Sequence, residues 1–373
     1  MKIVFTCGGT AGHINPAVAL ARMFRERHPQ CEVLFVGADG GMEVRLLQKE
    51  GLPLKTVTIS SFYRSLSPSA IRHNLHTLAN LGKSDRQAKA ILDDFQPDLV
   101  VGTGGYASFP LVKAAARRGI PTAIHESNAF PGLTTVTLSR LVDVVMVGFE
   151  ESRAHYKHAK RVVVTGTPVR EDFFRLTKRE ARKTLNIPEG FPLVLSFWGS
   201  LGARVMNEHM VGFIALSAGK TPSFYHIHGG GRSFDTMKKQ LDALGVNADL
   251  QPRLELREYI YDMPAVMAAA DLVLCRAGAS TIAELTALAK PCILVPSPNV
   301  VQDHQTKNAQ IPAQAGGAIL LPEEACTPRL LHETVQSLLT DEKRLASMSH
   351  ALSSLSAPDA NERIYQTLLA LLR

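Results

Sequence analysis

Short apolar runs alternate along the whole chain with longer stretches in which apolar residues return every three or four positions. The runs near 2–7, 31–36, 54–58, 98–102, 121–125 and 143–147 read as buried parallel strands. Helical spacing falls near 14–28, 42–50, 68–94, 108–118 and 131–141. A second series opens after TGTPVRED (165–172), with strands near 192–197, 223–228, 253–255, 271–275, 291–295 and 317–321. Its helices fall near 202–216, 233–243, 278–288, 303–314 and 327–340, and 358–372 reads as a last helix. Such alternation predicts βαβ units and parallel sheets. The expected fold is α/β, with two doubly wound, Rossmann-like domains, a cleft between them and ligands outside the carboxyl ends of the strands. The expected partition is 1–165, 166–350 and a C-terminal segment, 351–373, that can cross back to the first domain.

Composition agrees with this picture and narrows it. A chain of 373 residues, 45% hydrophobic and 20% charged, is long enough for two sizeable cores. No uncharged apolar run approaches the roughly 18–20 residues that cross a bilayer, and MKIVFTC enters a strand without a signal-peptide pattern. Cys7, Cys31, Cys275, Cys292 and Cys326 are odd in number and contain no CxxC pair, which predicts reduced core thiols and a cytoplasmic compartment. Residues 1–165 carry 20 basic against 13 acidic side chains and the remainder 21 against 21, so the whole net charge of +7 lies in the first half. A basic half predicts an anionic partner: nucleic acid, an acidic membrane surface or a phosphorylated substrate. No nucleic-acid-binding motif or aromatic-interleaved basic stretch accompanies it, so nucleic acid is not expected.

Four glycine-rich turns follow predicted strands: GGTAGH (8–13), GTGGYAS (102–108), SFWGSLGARVMN (196–207) and CRAGASTIAEL (275–285). Each opens a helix, and a helix N-terminus behind a glycine turn suits a phosphate. Packing alone explains one such turn, but two per domain point to a phosphate-bearing ligand. No Walker A loop or complete GxGxxG is present, so Asp39 in FVGADGG is a weak ribose-binding candidate. There is no HExxH, clustered Cys/His set or DxD, and neither a metal nor another cofactor is expected. Ser280 and Thr281 would sit at a helix start, with Glu284 a turn further on, placed for a ribose diol or else for a capping box.

At this point the sequence resembles the MurG family of peptidoglycan glycosyltransferases. The motifs are GGTAGHINPAVALA, GTGGYASFP, HESNAFPGLT, GTPVR, WGSLGARVMN, the run REYIYDM to LVPSP and DHQTKNA, in order from residue 3 to beyond 310. The resemblance implies a glycosyltransferase B fold and transfer of N-acetylglucosamine from UDP-GlcNAc to an undecaprenyl-diphosphate-linked acceptor, lipid I, giving lipid II. It implies donor contacts from the Ile260 backbone to uracil, Glu284 to ribose, and Ser200 with the turn Ala279, Ser280 and Thr281 to the diphosphate, with Ile282 and Ala283 among the substrate-binding residues. Arg170 and Gln305 would contact the donor, and Thr10, Ala11, Gly12 and Asn128 would complete the site from the first domain. Two departures stand out: the family usually has glycine where Ala11 stands and commonly where Trp198 stands. A methyl at Ala11 would be strained if the turn needed φ > 0 there.

The chemistry implied is a single displacement with inversion. Helix N-termini and Arg170 would stabilise the departing UDP. His13 is the candidate general base, with Glu126 competing for that role and Tyr106 positioning the acceptor. His13 could alternatively cap its own helix, Arg170 join an inter-domain ion pair and Asn128 serve only as a turn residue. Residues 64–89 carry Arg72, Lys83 and Arg86 beside Leu75 and Leu78 at helical spacing, and these five form the expected membrane-facing patch. The expected location is the cytoplasmic face of the bacterial inner membrane, as a peripheral protein, with other cell-wall enzymes as neighbours. A UDP-GlcNAc 2-epimerase and a non-catalytic docking subunit are the rival readings.

Overall fold

The computed structural model describes residues 1–60, 67–199, 202–217 and 223–372. Within these, the side chains of Ala11, Arg45, Lys49, Pro68, Ala70, His73, Leu75, His76, Leu78, Ala79 and Val301 are not described. Ser200 and the side chains of Leu75 and Leu78 therefore lie outside the described residues. Tertiary contacts divide the chain into two compact units, residues 1–169 with 358–373, and residues 170–357.

The first unit is a seven-stranded parallel sheet. Its strands are β1 (Lys2–Thr6), β2 (Glu32–Ala38), β3 (Leu54–Val57), β4 (Leu99–Gly102), β5 (Thr122–Glu126), β6 (Val144–Val147) and β7 (Val162–Val164). They lie in the order β3-β2-β1-β4-β5-β6-β7. The crossovers are α1 (Ala11–Arg27), α2 (Met42–Lys49), α3 (Pro68–Phe95), α4 (Ser108–Arg117) and α5 (Leu133–Leu138). Strand alternation sorts the core. Ile3, Phe5 and Phe35 pack with Leu20 and Phe24 of α1 and Leu47 of α2, while Val4, Val36 and Val100 pack with Leu92 of α3 and Leu111 and Ala115 of α4. β7 lies outside the predicted set because three residues leave little pattern to read.

The second unit is a six-stranded parallel sheet of β8 (Leu193–Phe197), β9 (Tyr225–Gly229), β10 (Leu254–Arg257), β11 (Leu272–Cys275), β12 (Cys292–Leu294) and β13 (Ala318–Leu320). The order is β10-β9-β8-β11-β12-β13. Its helices are α6 (Lys178–Thr184), α7 (Arg204–Ser217), α8 (Phe234–Ala243), α9 (Met263–Ala269), α10 (Ala279–Ala287), α11 (His304–Gln314), α12 (Pro328–Leu339) and α13 (Glu342–Ser354). The chain then returns to the first unit as α14 (Ala360–Leu369), which buries Ile364 and Leu368 in the same core as α1. There the Tyr365 hydroxyl and His28 Nε2 are 2.7 Å apart. Asn361 brackets Val169, donating to its carbonyl at 2.8 Å and accepting from its amide at 3.2 Å.

Strand order locates the ligand crevices. In the first sheet the order reverses between β1 and β4, and in the second between β8 and β11. The four glycine-rich turns follow these four strands, so each pair flanks one topological switch point, where open α/β sheets bind ligands. Among the described residues no helix is long and apolar enough to cross a membrane.

Candidate active site

In the first unit the turns after β1 and β4 are pressed together. A Cβ at Gly105 (φ +81°) would overlap the Gly8 carbonyl, and one at Gly104 (φ +104°) would stand 2.7 Å from His13 Cδ2, so only glycine fits at both. Thr103 Oγ1 donates to the His13 carbonyl at 2.7 Å and fixes the start of α1 against this turn. The His13 ring folds back so that Nδ1 lies 2.9 Å from the Gly8 carbonyl oxygen. A carbonyl only accepts, so Nδ1 carries the proton, and the tautomer this selects has its lone pair on Nε2. Thr10 is the N-cap of α1 but makes no side-chain cap bond; its hydroxyl lies 3.3 Å from the same Nδ1. His13 therefore bonds to the turn rather than capping its helix. Ala11 is the first helical residue and is absent from the left-handed positions, so the backbone there does not call for glycine.

Glu126, at the end of β5, is buried and its carboxylate is fully occupied. Oε1 accepts from the Asn128 amide at 3.1 Å and from its side-chain nitrogen at 2.8 Å. Oε2 accepts from the Gly132 amide at 3.1 Å and the Thr135 hydroxyl at 2.6 Å. Asn128 is thus tied to Glu126, and together they shape the loop that enters α5. Tyr106 is half-buried beside Gly9, and burial, with a smaller push from the Glu43 charge, raises its phenol above the ordinary value. Asp39 accepts from Thr58 Oγ1 at 2.7 Å, and hydrogen bonds from Thr56 and Thr58 hold its carboxyl low, which gives it a structural partner in place of a ribose.

In the second unit α10 begins at Ala279 behind Gly278, which makes no side-chain cap bond. Glu284 lies more than a turn inside the helix, too far along for a capping box with Ser280 or Thr281. Its carboxylate makes no hydrogen bond among the described residues, and burial pushes it up to about 7 against the opposing pull of Arg170. Arg170 lies over the Phe173 ring, 5.5 Å from its centroid. Ile260 is buried with its side chain against Gly229 at the end of β9. Gln305 Oε1 accepts from the Ser297 amide at 2.9 Å. Behind that loop, Arg276 donates to the carbonyls of Val295 and Pro296, each at 3.1 Å, and pairs with Glu323.

The turn after β8 rests on a buried polar chain. Ser196 Oγ lies 2.7 Å from His226 Nε2 and 2.6 Å from His228 Nδ1, and Asn207 links His228 (3.2 Å) to the Gly230 carbonyl (2.7 Å). Burial keeps both imidazoles neutral, His228 falling to about 3. Trp198, just before this turn, is buried, and its indole N–H has no partner among the described residues.

Sequence reasoning does not reach three of these features. Glu43 is buried between the turns after β1 and β2. Arg276 braces the loop that holds Gln305. Gln302 and Asp303 take left-handed backbone without being glycine, immediately before α11. A glutamate at the start of α2 behind two glycines was the available signal for the first; nothing in the sequence marks the third.

The chain belongs to glycosyltransferase family 28: residues 3–147 match its N-terminal domain and 193–364 its C-terminal domain. It is 39% identical, over 99% of its length and 97% of the relative's, to the UDP-N-acetylglucosamine–N-acetylmuramyl-(pentapeptide) pyrophosphoryl-undecaprenol N-acetylglucosamine transferase of Acetivibrio thermocellus. It is 38% identical, over 99% of both chains, to the enzyme of the same name from Thermoanaerobacter sp.. Among solved structures, Acinetobacter baumannii MurG superposes with a TM-score of 0.75 at 25% identity over 99% of both chains. The UDP-GlcNAc 2-epimerase of Neisseria meningitidis superposes at 0.65 and 17% identity, covering 99% of this chain and all of its own, a likeness of fold alone.

Proposed function

We infer that this protein transfers N-acetylglucosamine from UDP-N-acetylglucosamine to N-acetylmuramyl-(pentapeptide) pyrophosphoryl-undecaprenol, the acceptor of peptidoglycan synthesis. The relatives' shared name supports the substrate pair. The observation that carries the chemistry is the His13 ring, whose Nδ1–H is committed to Gly8 and whose Nε2 makes no hydrogen bond among the described residues. His13 is the general base that takes the acceptor hydroxyl's proton. Glu126 already accepts four hydrogen bonds, which favours a role in shaping the Asn128 loop over a role as base.

The second unit holds the donor. The Ile260 backbone faces uracil, Glu284 accepts the ribose diol, and Ser200 with residues 279–283 receives the diphosphate at the N-terminus of α10. Arg170 neutralises charge that gathers on the departing UDP, and Gln305 contacts the sugar. Thr10, Ala11, Gly12 and Tyr106 serve the reacting end from the first unit. The reaction is a single inverting displacement without a metal. A turnover assay with UDP-GlcNAc and a short-chain lipid-linked acceptor tests the reading. A disaccharide product is expected, and conversion of UDP-GlcNAc to its 2-epimer instead would replace the reading with the epimerase.

The acceptor's polyprenyl chain stays in a bilayer, so the first unit docks there by charge. Arg72, Lys83 and Arg86 are exposed along α3, and Ile71 is 49% exposed beside them. Near an anionic leaflet each basic residue contributes about 1 kcal/mol, screened by salt. Binding to anionic but not neutral vesicles is expected, weakening as salt rises. Changing Arg72, Lys83 and Arg86 to glutamate abolishes it with UDP binding intact; an unchanged vesicle affinity would move the docking face elsewhere.

A further inference from the structure

Glu43 is fully buried and forms no ion pair among the described residues. It is the second residue of α2, where the helix N-terminus favours a negative charge. Its two oxygens bridge different turns: Oε1 accepts from the Ala38 amide at 2.7 Å and Oε2 from the Gly9 amide at 3.2 Å. Gly8, Gly37 and Gly41 leave the space it fills, since a Cβ at any of them would run into the Glu43 side chain. Two backbone amides could be satisfied by a neutral side chain or by water. A buried charge shaped around by three glycines is more than a turn needs.

The Gly9 N–H and the Gly8 C=O belong to one peptide group, and in a trans peptide they point in opposite directions. The N–H of that peptide meets Glu43 and its carbonyl meets the His13 Nδ1–H. We propose that Glu43 is a positioning residue for the reaction, acting through the Gly8–Gly9 peptide to orient His13 and to increase the basicity of its Nε2. A carboxylate on the N–H side polarises the peptide so that its carbonyl becomes a stronger acceptor, and a stronger acceptor at Nδ1–H makes the other ring nitrogen more basic. The arrangement is a carboxylate–histidine pair with one peptide inserted. Among the described residues Cys7 and Tyr106 feel the Glu43 charge; burial first, and then that charge, raises both, so neither titrates in the working range.

The proposal rests on His13 as the base. In Glu43→Gln the amide can accept from only one of the two turns, and the charge is gone. Its kcat should fall by about ten- to a hundredfold, the range typical when the partner that orients a metal-bound histidine is lost. UDP-GlcNAc affinity should be unchanged and the acid limb of the kcat profile should move to lower pH. In a His13→Ala background the same change should cost nothing further, because both act through one ring. Unaltered kcat and acid limb, or an equal further loss without His13, would overturn the relay. Nitrogen NMR of the His13 ring in the unmodified protein is independent of how the variant folds. A proton on Nδ1 is expected, and a proton on Nε2 would overturn the proposal. If His13→Ala keeps full turnover, the base assignment falls, and the ring's tautomer and its response to Glu43→Gln still decide the relay.

Discussion

At the crevice of the first unit the two buried carboxylates are satisfied by the protein's own donors. Glu126 accepts four hydrogen bonds, Glu43 two, and His13 Nδ1 bonds to Gly8. At the crevice of the second unit, among the described residues, the Glu284 carboxylate accepts no hydrogen bond, Gly278 leaves α10 without a side-chain cap, and the Trp198 N–H has no partner. The two crevices arise from the same topology, yet the carboxylates of one are held by the protein's own donors and that of the other is not. A catalytic group gains from being fixed before substrate arrives. A binding surface gains discrimination from polar groups that only the correct ligand satisfies.

The largest effect that this contrast predicts is at His13. His13→Ala should lower turnover by about 10²–10⁴-fold while UDP affinity holds, as expected for loss of a general base. A comparable loss from Glu126→Ala with His13→Ala mild would reverse the assignment of roles. Next in size, Glu284→Ala should weaken UDP-GlcNAc by about 1.5–3 kcal/mol by titration calorimetry, as for a hydrogen bond to a charged group. Unchanged affinity would remove Glu284 from the donor site. Smaller still is a pH effect. An ionised carboxylate accepts both ribose hydroxyls and a protonated one does not. UDP-GlcNAc affinity should therefore rise a few-fold as pH passes upward through about 7, the value to which burial raises Glu284. Glu284→Gln should flatten that slope. The smallest signal is optical: Trp198 is the sole tryptophan, and filling the turn beside it should shift its emission. No change on adding UDP would separate this indole from the donor site.

The order of strands and helices is legible because both sheets are buried on two faces, which turns each strand into an apolar run such as LVVG or LVLC. The glycine turns are legible for a second reason, since close contacts such as Gly105 against Gly8 admit no side chain. What escapes the sequence depends on elements meeting in space. Glu43 gains its partners only because β1 and β2 are neighbours, and in FVGADGGMEV the more conspicuous acid is Asp39. The occupancy of Glu126 depends on how residues 128–135 curl back over it. Arg276 reaches carbonyls nineteen and twenty residues on. Left-handed backbone at Gln302 and Asp303 carries no mark, because neither residue type favours it as glycine does.

The return of α14 to the first unit has a consequence for how the protein is made. The ribosome delivers residues 1–169 first, yet the core around Phe24 lacks Tyr365, Ile364 and Leu368 until the last helix has been synthesised. Residues 170–357 have all their partners sooner. The half that begins the chain is thus the later of the two to be completed, and until then it exposes an apolar face on α1 during translation.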